Sequence, residues 1–195
     1  TLQPEPGGAG GFDRSSSFWV ALEFWLRRQL NLGESVRTWL YRQFTRAAYR
    51  GEPLTPATKR TVLTVAALSV ERTHIPEHLL GAAPAEQDPL SVQLSELASQ
   101  TPSLGLVRRR TESSHAWGVT HLPLAQHLLD AAAEDLDLMK ELGIQAHSGS
   151  VRLRIELLAG FARTPALGQD RHRQLALRFP QFIFKLDRAG HQEFA

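Results

Sequence analysis

The stretch LGLVRRRTESSHAWGVTHLPLAQHLL, residues 104–129, decides how this chain is read. Two short strand-like runs, LGLVRRR and HAWGVTH, flank the polar TESS, which suits a hairpin tip carrying Glu112 and the serines. The chain then turns at His121 into an apolar helix, with Pro123 in a first turn that tolerates a missing N–H. His115, Trp117, Val119 and His121 share one strand parity, so His121 is expected to face the same way as Trp117. Leu122 is a poor N-cap and leaves amide donors unfilled, at a cost of about 1 kcal/mol against a capping side chain. An anion arriving there would use those amides, the helix dipole and His121 together. The plainer reading of His121 is a structural corner residue.

Upstream of the hairpin the hydrophobic period is helical. Thr55 caps and Pro56 opens a helix, ATKRTVLTVAALSVE, that is apolar on nearly every side and is therefore expected to be central and buried. IPEHLL reads as a short second helix, and LSVQLSELASQ as a third, presenting Leu90, Leu94, Leu97 and Ala98. Three helices followed by a β-hairpin are the element order of a winged helix.

Before that unit lie two amphipathic segments. FWVALEFWLRRQL places Phe18, Leu22, Trp25 and Gln29 at helical spacing behind a Ser17 cap, widened by Trp19, Leu26 and Leu30. ESVRTWLYRQFTRAAY places Val36, Leu40, Phe44 and Ala47 on one face, with Arg37, Arg42, Arg46 and Arg50 mostly off it. The Pro, Gly and Ser of residues 1–17 read as a flexible linker. Beyond the hairpin, Leu124, Leu128 and Ala132, then Leu136, Met139 and Leu142, continue the helical period. SVRLRIELLAGFA and RHRQLALRFPQFIFKLDR make a further helical pair, in which Pro180 is expected to kink or split the second helix. The expected fold is mainly α with a small β-hairpin. Its divisions are a linker over 1–17, a helical segment over 18–52, a winged helix over 53–131 and a C-terminal helical segment over 132–195, possible start of a helical scaffold.

Composition excludes several classes. The 195 residues are 42% hydrophobic and 22% charged, and 22 Lys+Arg against 20 Asp+Glu leave a formal charge of only +2, so charge alone calls for neither nucleic acid nor an acidic membrane. The absence of cysteine rules out disulfides, thiolate metal sites and a Cys nucleophile, and fits a reducing, cytoplasmic setting. No apolar run approaches the roughly 20 residues that span a bilayer.

The chemistry-bearing residues form no catalytic constellation. His74 and His78 are four apart but have Pro76 between them, and His121 and His127 diverge on any helix, so no metal site is expected. Asp130, Glu134, Asp137 and Glu141 fall at helical spacing and read as one solvated face. No Gly-Lys-Ser/Thr loop and no nucleophile elbow occurs in the chain. Arg108, Arg109 and Arg110 are the candidate phosphate contacts of a DNA-binding regulator, yet LSVQLSELASQ, which would enter the groove, holds Glu96 and neither Lys nor Arg. A helical protein-interaction adaptor is the third reading.

The order FWVALEFWL, WLYRQF, winged helix, apolar strand, histidine and LxLAxxLL resembles the lid and winged-helix portion of STAND-type P-loop NTPases. These are signalling ATPases of the NOD-like, apoptosome and bacterial anti-phage class. The resemblance covers residues 18–130 by pattern. It implies that His121 contacts the β-phosphate of bound ADP and holds an inactive state. Thr120 stands where that motif usually has a hydrophobic residue, and Leu122 where it has a capping Asp. By the same resemblance the P-loop lies before Thr1, and ADP or ATP with Mg binds the full-length parent rather than this chain. The partners implied are an upstream NTPase core, a downstream sensor region and, on activation, further copies of the protein. This portion would be a non-catalytic, cytoplasmic switch.

Overall fold

The computed structural model describes residues 35–80, 88–111, 115–144, 149–163 and 173–193, with the side chains of 175–188 in the last segment. The expected linker over 1–17, the first amphipathic segment at 18–30 and the hairpin tip at Glu112 lie outside the described residues. The described residues hold seven α-helices and two small antiparallel sheets, so the chain is mainly α with minor β elements.

Helix α1 (Val36–Arg46) starts where the Ser35 side chain accepts from the Thr38 amide, and it buries Trp39, Leu40 and Phe44. A two-residue hairpin follows, β1 (Ala48–Tyr49) against β2 (Glu52–Pro53). Its turn residues Arg50 and Gly51 both have positive φ, 52° and 83°, as the tight turns that match strand twist require. Thr55 caps α2 (Pro56–Val70), which is buried along most of its length, as its all-round apolarity required. Its internal hydroxyls cost little, because Thr61, Thr64 and Ser69 donate to carbonyls four residues back. The helix ends in a Schellman closure: the Arg72 amide donates to the Ser69 carbonyl and the Thr73 amide to the Leu68 carbonyl, with Arg72 at φ 55°.

IPEHLL is not a regular helix. Ile75–Pro76 form strand β3, and only Glu77–Leu79 wind into a 3-10 turn, because Pro76 sits at a sheet edge where its missing N–H is harmless. Helix α3 (Leu90–Gln100) buries Leu90, Gln93, Leu94 and Leu97. Gln93 accepts from the Thr58 hydroxyl at 2.6 Å and donates to the Asp88 carbonyl at 2.7 Å, joining α3 to the start of α2. Strands β4 (Leu106–Arg110) and β5 (His115–Val119) pair antiparallel, and the three-stranded sheet has the order β3-β5-β4. Residues 56–119 are called the sheet unit below.

Helix α4 (Leu122–Glu134) packs on α1 and α2. Asp135 ends it and caps α5 (Leu136–Glu141), its carboxylate accepting from the Leu138 amide at 2.8 Å. Helix α6 (Gly149–Ala162) packs on α2, α4 and the long α7 (Arg173–Glu193). Pro180 does not split α7, which runs through it. The proline is exposed, so water can take the Ala176 carbonyl that loses its helical donor. One apolar core runs from Trp39 and Phe44 through α2, α4 and α6 to Phe179, Phe182 and Leu186. Among the described residues, no helix is long and apolar enough to cross a membrane.

Candidate functional site

Strand β5 lies between β3 and β4, and its residues Ala116, Trp117, Gly118 and Val119 are all buried. Strand parity therefore does not carry on to His121, which is exposed while Trp117 is only 1% exposed. The break is at Thr120. Its amide and its hydroxyl both donate to the Gly105 carbonyl at 2.8 Å, which bends the chain off the sheet. Gly105 itself has φ 64°, and a Cβ there would stand 2.9 Å from the Thr120 Oγ1.

His121 follows in extended conformation as the N-cap of α4, and no side chain caps that helix start. Its carbonyl accepts from the Leu124 and Ala125 amides at 3.1 and 3.2 Å, so the histidine backbone is held while its ring faces outward. His121, Leu122 and Pro123 are exposed in succession, Leu122 at 44%. An outward imidazole at the positive end of a helix dipole can take part in holding an anion.

The arginine run does not form one patch. Strand alternation puts Arg108 and Arg110 on one face of β4 and Arg109 on the other. Arg108 is a fork onto Glu77, which holds the Glu77 carboxyl below the usual carboxylate range against the opposing effect of burial. Arg109 lies near His74, whose pKa burial pushes down and the arginine charge pushes further. The His74 ring packs against the backbone of Gly118, and a Cβ on Gly118 would overlap it. His74 and His78 are separated by β3, so they share no helix face, and no cluster of metal-ligating side chains exists among the described residues.

Of the acidic stripe, Glu134, Asp137 and Glu141 are exposed and Asp130 is half-buried, but the four do not share one helix. Asp135 breaks the helix between Glu134 and Asp137, which reorients the second half. Glu134 pairs with Arg37 at 2.5 Å, and Glu141 takes Lys59 at 2.8 Å. Arg37 also donates to the Asp130 carbonyl at 2.6 Å, so α1 is stitched to α4.

Two polar clusters escape the sequence reading. The Tyr41 hydroxyl donates to Asp135 at 2.5 Å. Glu71, at the end of α2, receives Arg154 of α6 at 2.5 Å and Lys185 of α7 at 3.2 Å. Their members lie 83 to 114 positions apart, and no spacing rule reaches that far.

With this architecture in view, the chain belongs to the STAND-type NTPases. Within that class its family is the one described as Novel STAND NTPase 7, which the chain matches over residues 8–195. No curated protein and no solved structure matches it.

Proposed function

We propose that this chain is the regulatory arm of a STAND NTPase, a nucleotide-dependent conformational switch in signalling or defence. In this reading residues 18–52 are the lid segment and 53–131 a winged helix. The sheet unit supports the second assignment, with α2, a short strand, a 3-10 turn, α3 and a β-hairpin in the order and pairing that a winged helix uses. The observation that carries the proposal is the outward His121 ring at an uncapped helix start, on a corner anchored by the Thr120–Gly105 contacts.

The residues present fit a phosphate. His121 and the first turn of α4 would hold the terminal oxygens of ADP, whose phosphates supply the negative charge the corner lacks. Exposed Leu122 and Pro123 would pack against the NTPase core that binds the rest of the nucleotide with Mg. ADP-bound closure and opening after nucleotide exchange would then differ by contacts made at this corner, which is what a switch requires. The active form would be a cytoplasmic homo-oligomer, and this portion supplies no catalytic group.

The test is ADP retention by the parent protein carrying His121→Ala. Faster ADP release with earlier oligomerisation is expected. Release at the unaltered rate overturns the assignment.

A further inference from the structure

Glu71 is placed against physical preference. Its side chain is only 4% exposed, and it sits at the C-terminal end of α2, where the helix dipole disfavours a carboxylate. Arg154, 10% exposed, faces it from α6, and the Arg154 Nε is buried without a hydrogen-bond acceptor. A buried ion pair that leaves a donor unfilled is a poor source of stability, since apolar residues of similar volume would serve as well or better. Such pairs are better suited to selecting one register among several apolar packings.

The surroundings call for that selection. Helix α6 packs on α2 and α4 and buries Leu153, Leu157 and Leu158, apolar side chains that alone would tolerate sliding. The Glu71 backbone cannot follow such a slide, because the Schellman closure at Arg72 and Thr73 holds it. The second cation, Lys185, comes from α7 and is 73% exposed, so both helices of the C-terminal pair are referred to the same carboxylate.

We propose that Glu71, Arg154 and Lys185 form a register clamp that locks the α6–α7 pair onto the sheet unit, so that a displacement of one is carried to the other without slippage. The clamp is independent of the nucleotide contact at His121. It assigns to this chain a rigid coupling between the sheet unit and its C-terminal helices.

The full chain contains no cysteine, so spin labels on Val92→Cys in α3 and Gln181→Cys in α7, both exposed, report one distance unambiguously. The unaltered clamp is expected to give a single narrow distance distribution. The apolar pair Glu71→Leu with Arg154→Leu is expected to keep or raise the melting temperature yet lose the single narrow peak. Should that pair fail to fold, the isosteric Glu71→Gln replaces it, with the same loss expected. A single narrow peak retained in the folded variant overturns the clamp.

Discussion

Arg108 and Glu77 meet through two hydrogen bonds, Nε to Oε2 at 2.7 Å and Nη2 to Oε1 at 3.0 Å. The guanidinium most exposed to suspicion as a DNA contact is thus already neutralised within the protein. A phosphate would have to displace a bidentate carboxylate to use it. The chain is expected to show no salt-dependent duplex binding at physiological ionic strength, and replacing Arg108, Arg109 and Arg110 with alanine should change nothing in a titration. Binding with a steep salt slope, lost in the triple variant, would favour the DNA-regulator reading. Glu77→Ala itself should cost no more than about 1 kcal/mol, as expected of a partly exposed pair.

Gly118 is the second point of test. A methyl group there must displace the His74 ring, and small-to-large changes in a packed site cost roughly 1–3 kcal/mol. Gly118→Ala should lower the denaturant midpoint, and His74→Ala in the same chain should restore part of the loss. No recovery in the double variant would mean that the clash lies elsewhere.

The Tyr41–Asp135 contact predicts the pH profile. Burial by itself raises the Asp135 pKa, but the Tyr41 hydroxyl, the Leu138 and Asp137 amides and Lys59 outweigh it and leave the carboxyl below its usual range. A depressed carboxylate contributes stability that is present above its unfolded pKa of about 3.9 and is lost as pH falls through the folded value. Tyr41 is raised, first by burial and then by Asp135, so its contribution is present below about pH 10 and lost above it. Tyr41→Phe should cost about 1–2 kcal/mol near neutrality and flatten the alkaline limb of the stability curve. An alkaline limb that stays as steep would remove Tyr41 as its source.

Leu122 offers a gain. It is exposed in the first turn of α4, where a carboxylate interacts favourably with the helix dipole by about 0.3–1 kcal/mol. Leu122→Asp should raise the melting temperature of the chain. In a parent protein that holds ADP through His121, release should not quicken, because the motif this chain resembles carries a capping Asp at this position while its histidine holds ADP. A melting temperature that stays the same or falls would remove the uncapped start of the helix as a weak point of the chain.

Much of this was legible locally. Thr55 caps the helix expected of it, α2 is buried because it is apolar on nearly every side, and Leu106–Arg110 and His115–Val119 pair as the run of residues suggests. The likeness of the chain to STAND-type NTPases also rested on such short-range order, and the family match agrees with it. The reading failed where a residue's environment comes from elsewhere. His121 faces outward against the strand parity it shares with Trp117, because Thr120 bonds back to Gly105, a contact that nothing near it in sequence signals.

The sequence by itself determined the elements, since helix caps, hydrophobic periods and turn residues act over a few positions. Tertiary structure decided which surfaces those elements present. Strand β5, central in its sheet and packed against α2, is buried at four successive residues, and the exposed Glu134 and Glu141 are brought to Arg37 and Lys59 from distant elements. Only the folded chain brings Glu71 to Arg154 and Lys185. The reason is one of range: backbone preference is set by adjacent residues, whereas burial and charge pairing depend on whatever the fold carries alongside.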